Sequence, residues 1–403
     1  MQENKRDDIE LLDGWFRALD GIGANGDGSF TRPGYTDTED AMIGAVADLA
    51  RERGFRHYAD EAGNTFVHNG TGEGEYTLVA SHLDSVIRGG KFDGVAGVLA
   101  GLFVLTKIGE SVPVKVGIFR MEESSTFGVA TVGSSLVTGR LNGEKLKSIR
   151  NNSGETLYGR ITGRGHSASP QKIGGLKEYL ELHIEQGRVL EAKKLPLGIV
   201  DSIAAPVRLW VTFTGRQDHS GATPMELRND ALAGAAVFIT DVERFALSGS
   251  RHANVATVGV VKNSPNAFNV IPGEVALGVD IRGTDRESRN RVVRNIRRRA
   301  ADIAGERSLA CSVNEISKSD PVKLDAGLGK KLSDSAARLG IPHMTMPSGA
   351  GHDAMNFAGI CPTGMLFVPC RDGISHNRHE SAEIGNIVGG CHVLLEYLTH
   401  RKE

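Results

Sequence analysis

Four short polar runs stand out because each closes an apolar segment. They are Ser81-His82-Leu83-Asp84, with Lys91-Phe92-Asp93-Gly94 just behind it; Met121-Glu122-Glu123; Glu181-Leu182-His183-Ile184-Glu185-Gln186-Gly187; and Ser375-His376-Asn377-Arg378-His379-Glu380. Together they offer imidazoles and carboxylates, the ligand types that suit Zn²⁺ or Mn²⁺. In α/β folds, sites gather where strands end. A lone histidine at a strand end is more often a hydrogen-bonded structural residue than a ligand, so no single run decides. Four runs placed alike make coincidence a poor explanation.

The segments that carry these runs alternate between strand and helix. Tyr76–Ser81 reads as a strand leading into His82, Gly94–Ile108 as a buried helix, and Val114–Arg120 as a second strand ending at Met121. Tyr179–Glu185 and Leu197–Ile203 read as further strands. Upstream, residues 7–19 and 37–53 have helical patterns, the latter capped by Asp37 or Thr38 and stopped by Gly54. Such alternation predicts an α/β fold, a mixed sheet flanked by helices.

Near Pro206 the pattern changes. Strands are expected at Val207–Thr214, Ala253–Lys262, Val275–Arg282 and Leu309–Ile316, with helices at Glu226–Val242 and Arg286–Ala304. That β-α-β-β-α-β order describes a compact α+β insertion. The α/β pattern resumes with a helix at 325–339, a strand at Met365–Val368 and a helix at 384–399. The expected organisation is a discontinuous catalytic domain, 1–205 and 319–403, interrupted by a lid at 206–318. At 403 residues the chain is too long for one ordinary core, which agrees with two domains.

Composition narrows the function classes. Lys and Arg total 47 and Asp and Glu 49, a net charge of −2, so no global basic excess asks for nucleic acid. Glycine is abundant and aromatics are 5%, which favours tight turns over a base-stacking platform. The basic run Arg289, Arg291, Arg294, Arg297, Arg298 and Arg299 shares its segment with a helical apolar stripe, Val292, Val293, Ile296, Ala300 and Ile303. The arginines are expected on the solvated face. Gly21-Ile-Gly23-Ala-Asn-Gly26 matches a dinucleotide fingerprint, but a helix precedes it, so it reads as a loop. Cys311, Cys361, Cys370 and Cys391 form no CxxC pair, and Met1–Asp8 carries no apolar signal core. A cytoplasmic enzyme with reduced thiols is expected. The longest apolar stretch, Gly94–Thr106, is too short to cross a bilayer, so no membrane partner is expected.

Longer strings carry a resemblance. SHLDSVIRGGKFDGVAGVLAGL at 81–102, EESSTFG at 122–128, ELHIEQGRVLE at 181–191, VTFTGRQDHSGATPM at 211–225, NVIPGEVALGVDIRG at 269–283, SGAGHDAMNFA at 348–358 and FVPCRDGISHNRHE at 367–380 resemble the M20 metallopeptidase/amidohydrolase superfamily. Within it they look like the carbamoylase branch of N-carbamoyl-L-amino-acid hydrolases, β-ureidopropionases and allantoate amidohydrolases. HIEQG is the most branch-specific string; the peptidase and deacylase branches usually carry a carboxylate where His183 stands.

The resemblance implies two divalent ions per chain, zinc or else manganese or cobalt. Asp93 would bridge them, His82 and His183 would complete one site, and Glu123 and His376 the other. His376 is preferred over His379 because it directly follows the Ser of Gly-x-Ser-His. It implies that Asp84 fixes the tautomer of His82, that Glu122 is the general base, and that His219 donates to the oxyanion. Gln186, Asn269, Arg282 and His352 would hold the carboxylate and ureido ends of the substrate. Taken alone, His219 reads as a surface-loop histidine, and Gln186 and Asn269 suit turns or caps equally. Ser124, Thr126, Arg188, Arg378 and His379 depart from the family strings and sit close to the implied ligands.

The expected activity is hydrolysis of N-carbamoyl-L-amino acids by a homodimer joined through the lid. Allantoate or another ureido acid is the nearest alternative. A dipeptidase or N-acyl-amino-acid deacylase is a further one, against which His183 argues. A purely binding protein would need no Glu122, and a serine hydrolase would need a GxSxG elbow, which the sequence lacks.

Overall fold

The computed structural model describes residues 2–70, 74–109, 112–248 and 254–400. They form two compact units. One comprises 1–201, 324–346 and 351–403, the other 202–323 and 347–350.

The first unit is built on a mixed sheet. Its centre is the order Val114–Phe119, Tyr76–His82, Leu176–Ile184, Thr363–Val368, whose neighbours all run parallel. Antiparallel strands flank it: Thr65–His68 and then Arg56–Ala59 on one side, Leu197–Ile203 on the other. Parallel strands buried on both faces read as continuous apolar runs, and Tyr76–His82 and Thr363–Val368 are buried at every residue. The helix Val95–Lys107 is buried continuously from Val95 to Leu105, so it has no polar face to expose. Strands that run parallel end on one edge of the sheet. That single topological fact brings His82, Glu122–Glu123, His183 and the 375–380 loop to the same place.

The second unit is an antiparallel sheet in the order Ala310–Lys318, Ala205–Thr214, Glu274–Gly283, Val255–Ser264. Val207, Leu209, Val211 and Phe213 alternate inward and pack with Phe238 and Val242 of the helix Ala231–Ser248 and with Val292 and Ile296 of Arg286–Glu306.

Several sequence expectations need correction. The helix expected at Glu226–Val242 begins at Ala231, after a short turn at Met225–Leu227. The Asp230 side chain accepts the N–H groups of Leu232 and Ala233 and so fixes the start. Arg289 does not lie on the solvated face. It is fully buried and donates to the carbonyls of Ala205 and Ser319. The helices Val132–Val137, Gly143–Ser148 and Leu157–Gly163 were not anticipated, because six or seven residues are too few to display a period. All four thiols are free, and among the described residues no helix is long and apolar enough to cross a membrane.

Candidate metal centre

The strand Tyr76–His82 delivers His82 at its last residue, and Leu176–Ile184 delivers His183 next to its end. Asp93 follows on the turn into Val95–Lys107. There Gly94 has φ +68°, and a Cβ would lie 2.5 Å from the His82 ring. Only glycine lets the chain turn this tightly behind the carboxylate.

Each Asp93 oxygen faces a different donor set. Oδ1 lies 3.6 Å from His82 Nε2 and 3.1 Å from His183 Nε2. Oδ2 lies 3.3 Å from His376 Nε2, which is itself 3.1 Å from Glu123 Oε1. The ligand atoms of His82, Asp93 and His183 lie within 4.8 Å of one another, as do those of Asp93, Glu123 and His376. Glu181, His183 and His352 converge similarly, but Glu181 is committed to Tyr179 Oη and the Ala354 N–H.

The histidine tautomers suit a cation. His82 Nδ1 sits 3.1 Å from the Asp84 carbonyl, and His183 Nδ1 sits 2.9 Å from the Ile184 carbonyl. A proton on each Nδ1 satisfies both contacts and leaves a lone pair on each Nε2. The His183 lone pair also receives the Gly94 N–H at 3.3 Å. The electrostatics agree. Hydrogen bonds to Asp93 and Glu123 push His376 up to about 11. Burial raises Asp93, yet His183, His376 and His82 outweigh it and hold the carboxyl well below its ordinary range. His376 holds a proton and Asp93 a negative charge where a divalent ion would take the same lone pairs, so the donor set fits one.

Consecutive glutamates part company here. Glu123 joins His376, while Glu122 Oε2 lies 3.9 Å from His82 Nε2. Burial most of all, with Glu123 and Asp353, holds the Glu122 carboxyl well above its usual range despite His82. Asp84 does more than touch His82 at 3.3 Å. Its two oxygens accept the backbone N–H groups of Glu122 and Glu123, at 2.9 and 3.0 Å.

The polypeptide from 78 to 400 matches the profile of Peptidase family M20/M25/M40. The chain belongs to that family. It is 38% identical over 387 residues to an N-carbamoyl-L-amino acid amidohydrolase of Geobacillus stearothermophilus, covering 93% of each chain. It is 34% identical over 384 residues to a ureidoglycolate hydrolase of Arabidopsis thaliana, covering 91% of this chain and 81% of that one. A solved hydantoinase/carbamoylase-family amidase of Burkholderia multivorans superposes with a TM-score of 0.90 at 34% identity, covering 98% and 97%.

In this M20-family chain the other residues singled out fall into both units. Gln186, at φ +56°, donates to Asp93 Oδ2 at 2.7 Å and lies 3.3 Å from His376 Nε2. His352 is buried edge-on against the His183 ring, 4.6 Å between centroids. Burial first, then His183, holds it well below the ordinary imidazole range, hence neutral. His219, Asn269 and Arg282 belong to the second unit. Exposed His219 pairs with Val270 in a two-residue ladder beside Asn269, and its Nδ1 accepts the N–H groups of Gly221 and Ala222 at 3.1 Å. The remaining proton then sits on Nε2. Arg282 donates to Asp280 at 3.0 Å and to the Gly349 carbonyl at 3.1 Å.

Three supporting residues received no role from sequence reasoning, although Ser375 and Glu380 lie in one of the four polar runs. Glu380 accepts the N–H groups of Phe92 and Asp93, at 2.7 and 3.0 Å, and the Ser375 hydroxyl at 2.9 Å. Ser375 Oγ lies 2.7 Å from Asp93 Oδ2. Glu39, fully buried, accepts the Met121 N–H at 2.9 Å and pairs with buried Arg120 at 2.6 Å. Residues 121, 122 and 123 thus have all three N–H groups held by buried carboxylates. The available signal was Glu39 itself, a charge in line with Met42, Ile43, Val46 and Ala50 on the apolar stripe of its helix. Glu39→Ala leaves buried Arg120 only its pair with the half-buried Asp40 at 2.6 Å and takes the acceptor from the Tyr35 and Met121 N–H groups, which should cost about 3 kcal/mol in urea unfolding. An unshifted midpoint would show that the pair adds nothing.

Proposed function

We propose that this chain hydrolyses the ureido C–N bond of N-carbamoyl-L-amino acids, releasing the amino acid, CO₂ and ammonia. The coarser statement, an amidohydrolase acting on a linear C–N bond, rests on the named relatives. The observation that supports the finer one is Asp93, which turns one oxygen to a donor set containing His183, where the peptidase and deacylase branches usually carry a carboxylate, and the other to a second set. Two ions per chain, zinc or else manganese or cobalt, follow from it: one with His82 and His183, the other with Glu123 and His376. Residues 1–205 and 319–403 form the catalytic domain in this reading. Residues 206–318 form the lid, through which a cytoplasmic homodimer assembles.

The ions, when bound, supply Lewis acidity to the ureido carbonyl and acidify water. The protein does the rest. Glu122 accepts a proton as the water oxygen adds to the carbonyl carbon, and returns it to the leaving nitrogen as the C–N bond breaks. The carbamate left behind decomposes to CO₂ and ammonia. His219, with its proton on Nε2, donates to the oxyanion. Gln186, Asn269, Arg282 and His352 hold the substrate ends.

Metal-stripped protein reloaded with Zn²⁺, Mn²⁺ or Co²⁺ should turn over N-carbamoyl amino acids in preference to allantoate, N-acetyl amino acids and dipeptides. Activity in metal-free protein, or turnover of dipeptides with ureido acids inert, would end the reading. A ureido acid such as allantoate is the second reading, supported by the ureidoglycolate hydrolase relative.

Arg282→Lys should be damaging, because a point charge does not replace a two-pronged fork on a carboxylate. Substrates amidated at that carboxylate should be poor for the unmodified enzyme. Equal rates on acid and amide would remove Arg282 from the role.

A further inference from the structure

Beside the metal centre, within the first unit, lies a cavity of about 410 Å³ whose lining includes Ile87, Arg88, His376, Arg378 and His379. His376 faces Asp93 and Glu123 with its Nε2, so the cavity adjoins the place where a ureido carbonyl would react. Its charge is unbalanced. Arg88 and Arg378 both turn on Oδ2 of Asp27, the first in direct contact and the second at 4.0 Å. Asp27 Oδ1 is taken by the Ser29 N–H at 3.0 Å and the Ser29 hydroxyl at 2.5 Å. Two guanidinium groups therefore share one carboxylate oxygen. His379 adds no competing anion; its Nε2 accepts from Arg378 Nε at 3.2 Å.

The backbone at Arg88 is held in place, while both guanidinium side chains are more than half exposed. Arg88 has φ +57°, a conformation a side-chain-bearing residue keeps only where its surroundings enforce it. Its N–H donates to Thr31 Oγ1 at 3.0 Å, and Gly89 and Phe30 exchange both backbone hydrogen bonds alongside. Arg378 sits two residues beyond His376 on the same loop, at one of the positions that depart from the family strings.

We propose that Arg88 and Arg378 form a subsite for a second carboxylate, so that the preferred substrates are acidic N-carbamoyl amino acids with an aspartate- or glutamate-like side chain. This rests on the ureido reading above. Arg282, assigned to the α-carboxylate, does not line this cavity, so the arginine pair is free for a second carboxylate on the substrate. A guanidinium pair rewards a carboxylate there and leaves its neutral amide isostere without an equivalent partner.

The test compares N-carbamoyl-L-glutamate with N-carbamoyl-L-glutamine in two ways. Binding is measured by calorimetry on metal-loaded Glu122→Gln protein, and kcat/KM is measured on metal-loaded enzyme. Glutamate should be favoured at least about tenfold in both, and the preference should shrink as salt screens exposed charges. Arg88→Ala and Arg378→Ala should each lower the ratio severalfold, and Arg378→Lys should retain more of it than Arg378→Ala. Asp27→Asn should raise it, because it removes the competing carboxylate; a merely structural role for these residues would not produce opposite signs. A binding ratio near one, or one indifferent to these substitutions, overturns the subsite whatever the turnover. Selective binding without hydrolysis of either compound supports the subsite and instead overturns the proposed reaction.

Discussion

Glu122→Gln should lose at least roughly a hundredfold in turnover while keeping its fold and its metal. The substitution removes the proton acceptor and preserves the shape. Asp84 holds the Glu122 N–H through the backbone, a contact that does not depend on the side chain. Glu123→Ala should behave differently. Glu123 lies with His376 and Asp93, so its loss should release metal before it affects any proton transfer. Kinetics on metal-saturated protein, paired with elemental analysis after dialysis, separates the two. If both variants keep their metal and both turn over, the division of labour between these neighbouring glutamates is wrong.

Glu122→Gln and His219→Ala should each be nearly inactive alone, yet a mixture should recover activity. The expectation follows from the proposed homodimer, in which His219 serves the partner's active site. The His219→Ala chain keeps an intact base, and its Glu122→Gln partner keeps an intact His219, so one of the two sites in a mixed dimer is complete. Random exchange makes about half the dimers mixed, and half of their sites work. Recovered activity should approach roughly a quarter of that of the unmodified enzyme. If His219 acts within its own chain, no site is ever complete and mixing restores nothing. A fully active monomer at assay concentration would also remove the idea.

Local chemistry made much of this protein legible before any fold was known. Val95–Leu105 is apolar at every turn of a helix, and only burial on all sides suits such a segment. Strand ends announced themselves because an apolar run must stop where the chain meets a polar site, as at His82 and Glu122. The alternation in Val207–Phe213 marked a one-sided sheet, and the structure has one. Short elements were not legible. Arg56–Ala59 is exposed along its whole length and carries no pattern to read.

Outside the ligand grouping that the resemblance implied, relations between residues distant in the chain remained hidden. Glu39 lies 82 positions from Met121 and Glu380 lies 287 from Asp93, yet each carboxylate is spent on that residue's N–H. Backbone N–H groups look alike in any sequence, so nothing local marks which of them a buried carboxylate will seek. The same holds for Asp84, whose family-implied task was His82 but whose oxygens also secure Glu122 and Glu123. Residue types could therefore nominate a metal centre. Parallel strand order, which is decided by long-range pairing, determines that one carboxylate at Asp93 faces two donor sets at once.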